Sequence, residues 1–208
     1  MPNDLGWLPL FPLKTVLFPD GILPLRIFET RYIDMVRDCM KTGAPFGVAL
    51  IRNGQEVGAA AEPEPVGCLA RITDWDMQEL GVMHLRVQGG ERFRVLETRV
   101  RADQRLEARV EAIEPDPEIP VSDIHVRCAK TLKIVIDDIE SRARAAQDGE
   151  FVSPFAYPIR LDSAAWVANR WCEILPIPLK ARQKLLELED PGARLSLVYQ
   201  YLQQHKII

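Results

Sequence analysis

The sequence predicts an α+β protein with a β-rich amino-terminal part and a helical carboxy-terminal part. Short apolar runs separated by turn residues fill residues 8–28 and 46–113, which is typical of a strongly bent antiparallel or mixed sheet. Prolines at 115, 117 and 120 then interrupt both helices and strand ladders. Beyond them, apolar residues recur every three or four positions, which predicts helices. We therefore expect domains at residues 1–114 and 121–208, joined by a linker at 115–120.

The first stretch, residues 8–32, predicts two short bent strands that lead into a helix. Strands are expected at residues 8–13 and 22–28, since prolines are tolerated at strand ends and edges. Between them Pro19-Asp20-Gly21 predicts a turn in which the glycine takes a positive φ. Apolar residues at helical spacing then predict an amphipathic helix from Tyr32 to Met40, ended by Gly43.

The remaining β-part predicts five further strands. Residues 88–91 (Gln-Gly-Gly-Glu) are interpreted as a hairpin turn, because glycines there separate two alternating apolar runs. The expected strands cover residues 46–51, 66–75, 82–87, 93–100 and 106–113.

The carboxy-terminal part predicts a small helical bundle docked beside the sheet. One long helix is expected from Ser122, as N-cap, to about residue 147, ended by Asp148-Gly149. A loop at residues 151–159 is expected to pack on the helices. Three further helices are expected. The first follows a cap at Asp162 or Ser163, the second follows the prolines at 176 and 178, and the third starts at Asp190-Pro191.

Composition narrows the function classes. The chain has 208 residues, 47% of them hydrophobic and 27% charged, which suits a folded core. Its net charge of −4 disfavours a general nucleic-acid binder. The four cysteines form no CxxC pair, so buried free thiols are expected rather than a metal cluster. Since the sequence shows no secretory leader or bilayer-length apolar run, a cytoplasmic protein without a membrane partner is expected.

Several motifs resemble the amino-terminal, substrate-binding domain family of Lon proteases. The first stretch contains LPLFPL, VLFP and LPL-x-IFE-x-RY, and family-like segments follow in order over nearly the whole chain. The resemblance implies a pseudouridine-synthase-associated (PUA-like) pseudo-barrel with an inserted helix, followed by a helical bundle. It also implies a role in substrate selection. The further segments are residues 46–51, 56–58, 66–72, 89–95, 175–176, 183–187 and 194–195.

Catalytic motifs are missing from the sequence. No GxxxxGK[ST] supplies a phosphate loop, and neither GxSxG nor SxxK marks a serine nucleophile. The three histidines lie in separate elements, and the acidic clusters are interpreted as solvated faces. We therefore expect a non-catalytic, stand-alone module without the ATPase and protease modules, without a cofactor and without a metal.

Two groups of residues are candidate site residues. We expect a crevice between the bent sheet and the helical bundle, with Phe18, Leu23, Trp75 and Trp166 as candidate polypeptide contacts in it. Trp166 is interpreted as lying off the inward stripe of its helix, and aromatic residues are favoured anchors at interfaces. A polar network of Glu29, Arg31 and Arg92 is expected either to lock the early helix to the sheet or to line a groove, because a buried arginine needs a fixed carboxylate partner.

Two binding functions remain open at this point. The leading hypothesis is recognition of unfolded or flexible polypeptide, or of a protease partner; a weak homo-oligomer is also compatible with the sequence. The alternative is RNA binding through arginines of the PUA-like strands, although interleaved acids favour cross-strand ion pairs instead. The arginines concerned are Arg92, Arg94, Arg99, Arg101, Arg105 and Arg109.

Overall fold

The computed structural model describes residues 4–79, 81–146 and 151–208 and contains a six-stranded mixed sheet and five α-helices. The strands are β1 (Asp4–Leu13), β2 (Ile22–Ile27), β3 (Phe46–Asn53), β4 (Glu62–Glu79), β5 (Val82–Val100) and β6 (Leu106–Ala112). The helices are α1 (Thr30–Thr42), α2 (Val126–Ala146), α3 (Ala164–Ile174), α4 (Leu179–Glu187) and α5 (Pro191–Gln204).

Five of the strands form a closed ring. The sheet order is β2-β5-β4-β3-β1-β6, and β6 pairs again with β5, which closes the ring and leaves β2 attached to the first half of β5. Among the described strands, only β1 and β3 pair in parallel. Helix α1 is inserted between β2 and β3 and ends, as predicted, at Gly43 in the left-handed conformation. The predicted α+β fold with a bent pseudo-barrel is confirmed.

The predicted hairpin turn at residues 88–91 is wrong, because β5 runs through it without interruption. Gly89 serves a different purpose. A Cβ at Gly89 would lie 2.0 Å from the Phe18 carbonyl oxygen, so the glycine lets the 18–21 turn cross the strand. Two backbone hydrogen bonds fix the crossing, from Asp20 N to Gly89 O at 2.9 Å and from Gly89 N to Gly21 O at 2.8 Å.

The Pro-Asp-Gly turn forms, but the predicted conformation of its glycine is wrong. Asp20 takes the left-handed conformation, with φ 61°, and Gly21 does not. Gly21 is needed for space instead: a Cβ there would lie 2.1 Å from Glu173 Oε1 on α3. The neighbouring Arg170 donates from Nη2 to the Pro19 carbonyl at 2.7 Å. The turn therefore docks α3 on the sheet.

The helices begin largely where the sequence predicts. The Ser163 side chain caps α3 by accepting from Trp166 N, and Asp190 caps α5 ahead of Pro191. Ser122 is an exception, because a 3₁₀ turn at Asp123–His125 precedes α2 and the Ser122 side chain makes no cap bond. The predicted end of that helix at Asp148-Gly149 lies outside the described residues.

The largest hydrophobic core is shared between the sheet and the helices. Phe18, Val66 and Ile113 of the β-part are buried together with Leu132 of α2 and Trp171 of α3. Two smaller cores lie under α1 and inside the ring. The 151–159 loop contributes Phe155 to the large core. The division into two domains stays a prediction. The structure shows that the β-part and the helical part share this hydrophobic core.

All four cysteines are buried free thiols, as predicted. Burial raises the pKa of Cys39 and Cys128 to about 11 and that of Cys172 to about 12. Because the thiolate is the reactive form, we expect Ellman's reagent to modify none of them quickly in the native protein at pH 8. All four should react after denaturation in guanidinium. Rapid modification of one thiol without loss of structure would contradict this burial.

Within residues 4–79, 81–146 and 151–208, no helix is both long and apolar enough to cross a bilayer.

Candidate functional site

Arg92 lies in a buried ion cluster between the sheet and the helices. Its Nη2 atom donates to Asp116 Oδ1 at 2.7 Å, and Arg194 Nη1 of α5 donates to Asp116 Oδ2 at 2.6 Å. Arg194 also donates to Asn169 Oδ1 at 2.9 Å. Both arginines are at least 97% buried, and the side chain of Asp116, which they share, is 9% exposed.

The end of α4 supplies the remaining acceptors. Arg92 Nη1 donates to the carbonyls of Leu186 and Leu188 at 2.9 Å each, and Arg194 Nε donates to the carbonyl of Leu185 at 2.9 Å. The last carbonyls of a helix lack partners and carry partial negative charge. One carboxylate and a helix terminus therefore balance two guanidinium groups. Burial lowers the pKa of Arg92, and Asp116 opposes that shift.

Glu29 and Arg31 form a separate pair at the start of α1. Arg31 Nη2 lies 3.0 Å from Glu29 Oε2, and Arg31 Nη1 donates at 3.1 Å to the carbonyl of Gln104, between β5 and β6. The Gln104 contact connects this pair to the loop between β5 and β6, and its role as a helix lock or a groove lining stays a prediction. Arg92 does not join it, since its partner is Asp116. Sequence reasoning missed Asp116, because an acid between two prolines looked like part of a solvated linker.

Two of the four predicted polypeptide contacts are buried. Phe18 has no exposed surface and Trp166 is 3% exposed, both within the large core. The interpretation of Trp166 as lying off the inward stripe is wrong, because Trp166 belongs to the same buried cluster as Trp171. A crevice of about 150 Å³ does lie between the sheet and the helices, lined by Arg92, Asp116 and Trp166 among others. It exposes little of the Trp166 ring.

Trp75, in contrast, is 50% exposed on β4. It borders an open groove of about 550 Å³ between β4 and the end of α1, which we call the α1–β4 groove. Volumes of this order suit ligand binding. Trp75 pairs across the strands with Leu85, and Leu85 pairs with Leu25 of β2. The groove is lined by Cys39, Met40, Gly43, Ala44 and residues 71–75.

Leu23 lies on the same side of the sheet but outside the groove. It pairs with Val87, which in turn pairs with Ile72 of the groove. Leu23 is partly buried and packs on the core under α1, as do Met40 and Ile72. The structure therefore brings Trp75 together with Met40 and Ile72, and the binding roles of Leu23 and Trp75 stay predictions.

The strand arginines considered for RNA binding are ion-paired. Arg99 and Arg101 both bind Glu107, Arg105 binds Asp38 and Asp103, and Arg109 lies 3.7 Å from Glu97. Arg94 contacts Glu111 and Glu189, and Arg92 binds Asp116. Paired cations attract phosphate weakly, so the geometry favours the interpretation as a solvated, ion-paired sheet.

The family assignment follows from comparison with known proteins. Residues 7–204 match the family model for the ATP-dependent protease La (LON) substrate-binding domain. The chain belongs to the Lon substrate-binding domain family. It is 29% identical to the Lon protease of Anaeromyxobacter dehalogenans over 206 residues, which are 97% of this chain and 23% of that protein. The chain thus spans about a quarter of the length of this curated relative.

Solved structures of the family share the fold. A Lon N-terminal domain protein from Xanthomonas campestris superposes with a TM-score of 0.75 at 36% identity, covering 95% of this chain and 99% of that one. The N-terminal domain of a Mycobacterium avium complex Lon protease gives a TM-score of 0.62 at 17% identity, covering 96% and 99%. The second match supports the fold alone. The Lon-type pseudo-barrel and bundle are therefore the architecture of this chain.

Proposed function

We propose that this Lon-family domain is a non-catalytic recognition module that binds flexible or unfolded polypeptide in the α1–β4 groove. The family is described by substrate binding, which supports a recognition role. The main support for this site is that Trp75 is 50% exposed beside an open groove, whereas Phe18 and Trp166 are buried.

The chemistry of the groove suits variable apolar side chains. Exposed aromatic rings provide a large contact area at low cost in side-chain entropy, and they are favoured anchors at interfaces. Methionine is flexible and polarisable, so Met40 can adapt to partners of different shape. Met77, on the same strand, is also exposed. Such a surface binds by shape and apolar area with little demand for one sequence.

We also propose that the bound polypeptide is passed to an ATP-dependent protease in the cytoplasm. The support is that the chain aligns with about a quarter of a Lon protease. Mild-salt co-purification from the native host, followed by mass spectrometry, would recover a protease if this is correct. A protease that appears equally with an unrelated bait would contradict the proposal.

Replacing Trp75 by alanine tests the site. We expect affinity for a fluorescein-labelled, reduced and carboxymethylated protein to fall about tenfold, the loss typical of a central aromatic anchor. Fluorescence anisotropy measures this directly. The matched control is Trp7→Ala, since Trp7 is 37% exposed and stacks under Arg99 away from the groove. Equal affinities of the two variants would exclude the α1–β4 groove as the binding site.

A further inference from the structure

Strand β4 has an edge without a ladder partner, beginning at Arg71. The β3–β4 ladder starts at the Phe46–Ala70 pair, and Pro45 immediately precedes β3. Proline cannot donate to a ladder, and the chain turns there toward α1. From Arg71 to Glu79, β4 pairs with β5 on one side, and no other described strand pairs with its second side.

The α1–β4 groove follows this edge. Five consecutive residues, 71–75, line it. Successive side chains of a strand point to opposite faces of its sheet, so a groove on one face would be lined by alternate residues. Residues 71–75 line the groove consecutively because the register of β4 against β5 shifts between Ile72 and Asp74 and because no described strand covers the second edge of β4 there. If β3 extended toward the amino terminus beyond Phe46, it would pair with this edge of β4.

Two amide groups on this part of β4 donate to the side chain of the preceding residue. Trp75 N donates to Asp74 Oδ1 at 2.9 Å, and Met77 N donates to Asp76 Oδ1 at 2.6 Å. Both carboxylates are at exposed positions. Charged residues on an edge strand prevent it from pairing with another copy. These local bonds can be exchanged for carbonyl acceptors of an incoming chain without leaving a donor unpaired.

We propose that the α1–β4 groove binds its polypeptide by strand addition to the free edge of β4. This inference rests on the proposed function and specifies its mode. The occupant is an extended segment whose main chain pairs with β4 and whose apolar side chains lie over Met40 and Trp75. When the added strand takes over these amides, the carboxylates of Asp74 and Asp76 are released and face it. Their negative charge then attracts lysine or arginine side chains that lie beside the apolar residues of the ligand. Main-chain pairing explains recognition without a fixed sequence.

Backbone methylation of the ligand tests the pairing. The probe is a fluorescein-labelled ten-residue peptide with valine alternating with lysine and threonine. Two further versions are N-methylated on the odd or on the even amides. In an added strand only alternate amides face β4. We expect one methylated version to bind at least about tenfold more weakly than the other. Equal binding of the two versions would overturn strand addition.

A protein variant tests the same edge. Met77→Pro removes one edge donor and is compared with Met77→Ala, which removes the side chain but keeps the N–H group. We expect the proline variant to bind the unmethylated peptide about tenfold more weakly than the alanine variant, with unchanged circular dichroism. Similar affinities of the two folded variants would count against the inference. If Met77→Pro unfolds, the methylated peptides decide.

The two proposals fail in different ways. If Trp75→Ala weakens binding while both methylated peptides bind alike, the groove is the site and strand addition is wrong. If Trp75→Ala leaves binding of the unfolded protein unchanged, the groove is not the site and both proposals are overturned.

Discussion

Asp116→Ala is expected to lower the free energy of unfolding by about 3–5 kcal/mol, because it leaves two buried guanidinium groups without their shared carboxylate. Arg92 and Arg194 are both nearly inaccessible to water in the folded protein, so their charges depend on acceptors that the protein supplies. A loss of this size is a large part of the stability of an ordinary domain. Urea denaturation followed by circular dichroism measures it.

Glu118→Ala is the matched control for Asp116→Ala. Glu118 belongs to the same proline-rich segment and pairs with Arg160, but its side chain is 76% exposed. Exposed pairs contribute roughly 0–1 kcal/mol. We therefore expect a small change. A similar loss for both variants would show that the segment itself, rather than the buried charge, determines the stability.

Gly89→Ala is expected to destabilise the protein by about 3 kcal/mol or more. The new Cβ would lie 2.0 Å from the Phe18 carbonyl oxygen and 3.0 Å from its carbon, and backbone atoms must move to admit it. Overpacking typically costs about 1–3 kcal/mol, and the shift would also weaken the hydrogen bonds of the crossing turn. Thermal denaturation measures the loss.

Gly90→Ala provides a neighbouring comparison. A Cβ at Gly90 would lie 3.5 Å from Leu69 Cβ, which is ordinary contact. We expect its stability to stay within about 1 kcal/mol of the original. Equal destabilisation by the two alanines would mean that the strand needs glycine flexibility at both positions, and that the crossing turn is not the reason for Gly89.

Local patterns predicted most elements of the fold. Alternation located the strands, three- and four-residue spacing located the helices, and Gly43, Ser163 and Asp190 marked helix ends through local backbone chemistry. The same reasoning failed for Gly89, because its role depends on an atom that is distant in the sequence. Gly89 was interpreted as a turn residue because the Phe18 carbonyl that requires it lies 71 positions earlier in the chain.

The candidate site was only partly predictable. Trp75 was a candidate contact and lies at an open groove, whereas Trp166, which was expected off the inward stripe of its helix, is buried. Helical spacing shows which side of α3 meets its own bundle, but it does not show that the 18–21 turn also docks on α3 through Arg170. The interleaved acids did predict that the strand arginines would be paired.

Motifs and periodicities within short segments were enough to predict the family, the α+β class and the order of most elements. Tertiary structure decided which charges pair and which strand edge stays open. Arg92 meets Asp116 and the end of α4 only after the ring has closed and the helices have docked. The edge of β4 is open because β3 starts after Pro45 while β4 continues past Ala70. The Arg92–Asp116 ion pair and the open edge of β4 both depend on how segments distant in the sequence align in space. Local sequence patterns do not contain that information.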